Sequence, residues 1–302
     1  MTYFLSFRTQ DVGGPVADPR LYQGDGTASP LSLALVPDVL IPSIVGGRNL
    51  LFGAHGFNVS QTAGACSLGY LDQYLALGQQ GSFSGMAQAG GVEGEPPIST
   101  SQDLFIGILW PGDCWLPVVD YPFEGGVAQD CGRRLAVFCN TRCANAQSLS
   151  FVSHSLGARL VLEAVSRLNV RAQSVCLTAA AINRDCLTTQ YARAAANADS
   201  ISILASEADW VLKVAFSIGD PFADLLNDDH TPFQAALGRK GPPTPAPPPI
   251  RAPWQTPDNP PGYGHGDYLP KCAPLPAPAG TLWLNAADFM KRSFLRQRQP
   301  WP

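Results

Sequence analysis

Five short apolar runs constrain this chain more than any other feature. They are Leu50-Leu51-Phe52-Gly53-Ala54, the stretch from Asp103 to Trp110, Leu149 to Ser153, Ser174 to Ala180 and Ile201 to Ala205. Each is short for a helix, and none carries the strict alternation of a half-buried strand. Runs of this kind form strands buried on both faces, which requires a mostly parallel sheet covered by helices. Tyr3 to Phe7 and the alternating Leu31, Leu33 and Leu35 add two further strands. Between the runs, Leu160, Val161, Ala164, Val165 and Leu168 recur at helical spacing, with Arg159, Glu163 and Arg167 on the other side. Helices are also expected over Asn183 to Ala196 and Leu284 to Leu295, the latter starting where Asn285 precedes Asp288 by three. The expected fold class is α/β, a three-layer αβα sandwich around a mostly parallel central sheet.

Size and composition fit that reading. A chain of 302 residues, 45% hydrophobic and only 15% charged, buries a sizeable core and suits a single domain over 1–302. Its net charge of -4, with no Lys/Arg cluster, argues against a nucleic-acid partner and for a small, neutral or moderately apolar one. The start Met1-Thr2-Tyr3-Phe4-Leu5 has no basic lead into a long apolar run, and the stretch from Ala28 to Gly47 is broken by Pro30, Pro37, Asp38 and Pro42. Neither reads as a secretory signal or a transmembrane helix. The eight cysteines form no C-x-x-C pair and no zinc-finger spacing, so mostly free thiols in a reducing, cytoplasmic setting are expected, a trimmed secreted form being the alternative.

Two segments break the alternating rhythm. Gly81 to Thr100 is rich in Gly, Ser and Pro and reads as a surface excursion. Ten prolines fall among Pro242 to Pro261, a composition that forms neither a helix nor a central strand and tends to run extended. The whole of 211–261 is expected to be a cap insertion, with Phe216, Phe222 and Phe233 on an apolar underside that lines the substrate pocket.

The densest local signal is Phe151-Val152-Ser153-His154-Ser155-Leu156-Gly157-Ala158. Here a strand runs directly into a helix with a serine at the turn, the arrangement of a nucleophile elbow. Small residues two before and two after let the chain turn sharply. Gly157 supplies one, and Ser153 stands where glycine is usual. The following helix aims its positive N-terminal end at the site. Upstream, His55-Gly56-Phe57 follows the strand Leu50 to Ala54. In such a fold that loop gives one oxyanion-binding N–H and the residue after the nucleophile gives the other, which names Phe57 and Leu156. The acid and base follow in the order Ser, Asp/Glu, His. Glu207 and Asp209 lie just past the strand Ile201 to Ala205, with Asp185 a rival after the preceding strand. Of four histidines, His55 belongs to the oxyanion loop, His154 adjoins the nucleophile, and His230 sits among Asp228, Asp229 and Thr231. His265, between Gly264 and Gly266 and ahead of the last helix, is left as the base. His55 and His154 are expected near the substrate pocket.

This ordered set resembles the α/β-hydrolase superfamily. The nearest likeness is to a bacterial group of unassigned substrate in which H-G-F, S-H-S-L-G, D-W-V-L and a late G-H-G recur in this order. The likeness spans Leu50 to Leu295. It favours Asp209 over Glu207, because Asp209-Trp210-Val211-Leu212 is similar to the superfamily's acid loop. It implies hydrolysis of carboxylic esters by Ser155, Asp209 and His265 through an acyl-enzyme, with a thioesterase or acyltransferase using the same triad, or a non-catalytic binding protein, as the alternatives. No cofactor or metal is expected, since the chain has no H-E-x-x-H, Walker A or dinucleotide fingerprint. The Ser153 departure, the Gly-rich excursion and the Pro-rich approach to His265 set this chain apart, and the last leaves the final strand in doubt.

Overall fold

In the computed structural model, which describes residues 1–77, 102–113, 117–217, 235–246, 248–250, 254–256, 262–272 and 281–297, the five apolar runs lie side by side. They form β4 (Asn49–Ala54), β5 (Asp103–Leu109), β6 (Ser148–His154), β7 (Ser174–Thr178) and β8 (Ile201–Ser206), with β1 (Thr2–Ser6), β2 (Arg20–Asp25), β3 (Ser32–Leu35) and β9 (Trp254–Thr256) completing one nine-stranded sheet. The order is β3-β2-β1-β5-β4-β6-β7-β8-β9. Only β1–β2 and β2–β3 pair antiparallel; β1 onward to β9 is parallel.

The chain reverses direction across the sheet at β4. From β4 it moves back one place to β5, then jumps over β4 to β6 and continues outward. Right-handed crossovers then place the connecting helices on opposite faces. Accordingly α2 (Gln61–Leu75) covers one face, joined there by the C-terminal helix (Leu282–Phe294), while α3 (Pro117–Arg142) and α4 (Gly157–Val165) cover the other. The core divides the same way. Leu50, Phe52, Phe151, Ile106 and Ile203 pack with the α3–α4 layer, and their neighbours Leu51, Val152, Phe105 and Leu204 pack with α2 and the last helix. This is the period of two expected of strands buried on both faces. The point where the strand order reverses is where α/β sheets open a crevice at their carboxyl ends.

Several local expectations are corrected. Of the polar residues Arg159, Glu163 and Arg167, only Arg167 lies outside: Arg159 is 6% and Glu163 8% exposed, because α3 crosses α4 so closely that a Cβ on Gly132 would sit 2.5 Å from the Leu160 carbonyl oxygen. The helix expected over Asn183 to Ala196 shrinks to α5 (Ala192–Ala196). The backbone before it is committed elsewhere: Leu237 and Gly238 donate to the carbonyls of Ile182 and Ala180, and Arg184 donates to Ala235. The strand β2, the helices α2 and α3 and the short α1 (Ile41–Val45) were not anticipated. The last helix is preceded by Thr281 rather than opened by Asn285.

Within 211–261, α6 (Trp210–Ser217) is followed after an undescribed stretch by α7 (Leu237–Lys240), which packs on β8. The proline-free triplet Trp254–Thr256 extends the sheet at its edge, the one place where a Pro-rich approach is tolerated. Phe222, Phe233 and the side chain of Phe216 lie outside the described residues, as do His230 and the excursion Gly81 to Thr100. Cys66 of α2 is disulfide-bonded to Cys272, whereas Cys131, Cys139, Cys143, Cys176 and Cys186 are buried and form no disulfide. Among the described residues no helix is long and apolar enough to cross a membrane.

Candidate active site

Ser155 sits between β6 and α4 with φ 54°, a left-handed conformation that a non-glycine residue adopts only where the turn demands it. Its amide donates to the Thr178 carbonyl on the neighbouring strand at 3.0 Å, and its own carbonyl accepts from Ala181. Gly157 is needed for close approach rather than for torsion: a Cβ there would lie 2.5 Å from the His55 carbonyl oxygen. Ser153 ends inside β6, pairing in register with Ala54 and Leu177, so the position does not call for glycine.

Three side chains converge. His265 Nε2 is 2.8 Å from Ser155 Oγ, and His265 Nδ1 is 2.8 Å from Asp209 Oδ2. Asp209 is fully buried, and its other oxygen, Oδ1, accepts from the Leu212 amide at 2.9 Å. Asp209 therefore caps the N-terminus of α6 as well as holding the imidazole, and the positive end of that helix favours the carboxylate. Glu207 instead pairs with Lys240 at 2.8 Å. Asp185 lies in the turn after β7, its carbonyl accepting from Thr188.

The His55 loop runs directly against the serine. A Cβ on Gly56 would be 3.0 Å from Ser155 Cβ and 2.8 Å from His154 Nδ1. Phe57 packs at the margin of the core, and Leu156, the next residue after the serine, precedes the first turn of α4. The ring of His55 faces the core: it is 1% exposed, stacks on Trp110 at 5.7 Å and donates from Nδ1 to the Gly56 carbonyl. Burial, with the Arg8 charge adding to it, holds its pKa at about 3, so it is neutral. His154 is partly buried, and its Nε2 lies 2.7 Å from the His265 carbonyl oxygen.

Four features of the site escaped sequence reasoning. Arg8, just past β1, forms a fully buried ion pair with Asp113, just past β5, at 2.7 Å. The same guanidinium donates to the carbonyls of Asp11 and Val59. Trp110 Nε1 donates to the His55 carbonyl, and the Asn58 amide to Gly112. Ser206 Oγ accepts from the amide of Tyr263, anchoring the base loop to β8. Arg8 and Asp113 each sit just past an apolar run, which is the only trace they leave in the sequence. A cavity of about 650 Å³, lined by Asn49, Ser148, Arg171 and Arg296 among others, lies at the opposite, amino end of the sheet. Among the described residues no group of three or more His, Cys, Asp or Glu side chains could hold a metal.

Residues 44–239, roughly two thirds of the chain, match a family described as alpha/beta hydrolase of unknown function (DUF900). The chain belongs to that family. The matched span of this α/β hydrolase contains His55 to Phe57, Ser155 and Asp209, and His265 follows it. No curated protein matches the chain significantly.

Proposed function

We propose that this α/β hydrolase is a serine hydrolase that cleaves carboxylic ester bonds through an acyl-enzyme. The observation that carries this is the hydrogen-bonded line from Ser155 Oγ through His265 to Asp209, with 2.8 Å at each step and the serine held at positive φ. Asp209 Oδ2 accepts a hydrogen bond from His265 Nδ1–H, which leaves Nε2 as the acceptor for the serine hydroxyl. Oγ attacks the ester carbonyl carbon as its proton passes to Nε2. The oxyanion is stabilised by the N–H groups of Phe57 and Leu156, with about 3 to 4 kcal/mol per donor in comparable sites. The tetrahedral intermediate collapses, His265 returns the proton to the departing alkoxide, and the alcohol leaves. Water then repeats the sequence on the acyl-serine, giving the carboxylic acid and free Ser155. The buried carboxylate of Asp209 stabilises the imidazolium formed in both halves. Phe216, Phe222 and Phe233 are proposed to line the acyl or alcohol pocket.

The test is a screen of p-nitrophenyl esters of increasing chain length, with a fluorophosphonate label on the wild type and on Ser155→Ala. Hydrolysis and labelling that both vanish in Ser155→Ala, with an unchanged circular dichroism spectrum, are expected. Labelling that persists in Ser155→Ala would overturn the assignment.

A further inference from the structure

The base loop enters the site differently from the other two triad members. Ser155 and Asp209 are fixed by the ends of β6 and β8, whereas His265 comes on the segment 262–272, which joins none of the strands. What holds that segment can be read from its bonds. The Tyr263 amide donates to Ser206 Oγ at 3.1 Å, the tilted rings of Tyr263 and Tyr268 meet with centroids 5.0 Å apart, Gly264 donates to Asp267 within the loop, and Cys272 at its end is disulfide-bonded to Cys66 of α2. At His265 itself, among the described residues, the backbone is gripped by the side chain of His154, the residue immediately before the nucleophile.

We propose that His154 is a positioning residue: its Nε2–H donates to the His265 carbonyl and fixes the backbone of the base against the nucleophile elbow. This rests on the serine-hydrolase reading above and deepens it. The donor assignment follows from chemistry, since a carbonyl oxygen only accepts, so Nε2 carries the proton and Nδ1 is bare. Nδ1 faces Gly56, where a Cβ would come within 2.8 Å, so the ring is wedged between the oxyanion loop and the base loop. Its centroid lies 5.0 Å from that of His265 and 5.9 Å from that of Tyr268. The elbow thus controls the distance to the base through its own neighbour: any movement of the strand end that carries Ser155 carries His154, and with it the anchor of His265. A charged ring here would oppose the imidazolium that forms on His265. Burial foremost, with His265 adding to it, holds the His154 pKa at about 3, which keeps the ring neutral across the working range.

The test exploits reach. A glutamine amide nitrogen extends to the place of Nε2, whereas an asparagine amide stops at the place of Nδ1. His154→Gln is expected to stay within about threefold of wild type. His154→Asn and His154→Leu are expected to lose about 10- to 100-fold in kcat, the scale of an ångström of misplacement, with KM changed by less than about threefold. The rate of fluorophosphonate labelling of Ser155 should fall in parallel. The second readout needs no turnover: the downfield proton NMR signal of His265 Nδ1–H should be sharp in wild type and His154→Gln and broadened in His154→Asn. Equal activity in the Gln and Asn variants, a loss confined to KM, or a signal equally sharp in both would overturn the proposal. A wild type that neither labels nor hydrolyses any ester would overturn the hydrolase reading instead, and the NMR comparison would still decide the role of His154.

Discussion

Adding one carbon at Gly56 tests whether the His55 loop serves the oxyanion. A Cβ there would stand 2.8 Å from His154 Nδ1 and 3.0 Å from Ser155 Cβ. Unstrained non-bonded contacts fall at about 3.5 to 4.0 Å, so relief requires a shift of about 0.5 to 1 Å between the loop and the elbow. The elbow is held by the sheet through Ser155 and Thr178, so the shift falls mainly on the loop, which carries the Phe57 N–H with it. An ångström of misplacement costs about 100-fold, and complete loss of an oxyanion donor about 10²- to 10³-fold. Gly56→Ala is therefore expected to lower kcat by about 10- to 100-fold on the best p-nitrophenyl ester, with KM little changed, because the displaced group acts on the transition state. Overpacking should lower stability by about 1 to 3 kcal/mol, measured by urea unfolding. A variant with wild-type kcat, or with its whole loss in KM, would refute the reasoning and remove Phe57 from the oxyanion site.

Asp209→Asn should lower kcat by about 10⁴-fold, as loss of the tautomer-setting acid does in such triads, while Glu207→Gln changes it by less than about threefold; steady-state kinetics on both variants check this. Asp72 of α2 is held at a pKa of about 6, chiefly by burial, with the Thr2 hydroxyl hydrogen bond opposing that rise. Because the folded-state pKa is raised, the unfolded chain ionises first, and stability is lost as pH climbs from about 4 to 6. The ceiling is about 3 kcal/mol above pH 6, reduced by the solvent at its partly open edge. Asp72→Asn should therefore raise the melting temperature at pH 7 to 8 and leave it unchanged at pH 4; an equal effect at both would refute this.

What the sequence disclosed and what it hid have physical causes. The strands β4 to β8 are legible because burial on both faces selects uninterrupted apolar runs. Ser155, Asp209 and His265 are legible because each follows a strand end or precedes the last helix in an order the chemistry dictates. The helix α2 is not, because residues such as Ala63, Gly64, Ala65 and Gly69 give it a weak apolar stripe; it buries by close approach instead, since a Cβ on Gly69 would come within 3.3 Å of Gly26 Cα. The polar side of α4 misled because nothing in Arg159 or Glu163 announces that α3 will cover them. Gly264 and Gly266 suggested a loop needing glycine freedom, yet neither takes a positive φ and a Cβ on Gly266 would meet nothing nearer than 3.8 Å. Side-chain clamps such as Arg8–Asp113 and His154–His265 join residues about a hundred positions apart, and a single sequence carries no trace of such pairing.

The Arg8–Asp113 pair raises a question of its own, because a buried ion pair is a poor stabiliser. Taking both charges out of water costs several kcal/mol, and an apolar pair of similar volume is often as stable or more so. Here the side chains are 0% and 4% exposed, so that penalty applies almost in full. What an apolar pair cannot reproduce is the set of directed bonds from Arg8 to the carbonyls of Asp11 and Val59, the second of which lies two residues past Phe57. Together with the bonds from Trp110 to His55 and from Asn58 to Gly112, they fasten the His55 loop on both sides. Stability and positioning should then separate on mutation. Arg8→Met alone strands a buried carboxylate and is expected to destabilise by about 3 to 5 kcal/mol. Adding Asp113→Leu removes that stranded charge and should restore most of the stability, while kcat stays about 10-fold or more below wild type because Val59 remains untethered. Chemical denaturation and steady-state kinetics on the two variants measure both quantities. If the double variant regains kcat together with stability, the ion pair is a structural feature and the loop is held in place by the remaining bonds alone.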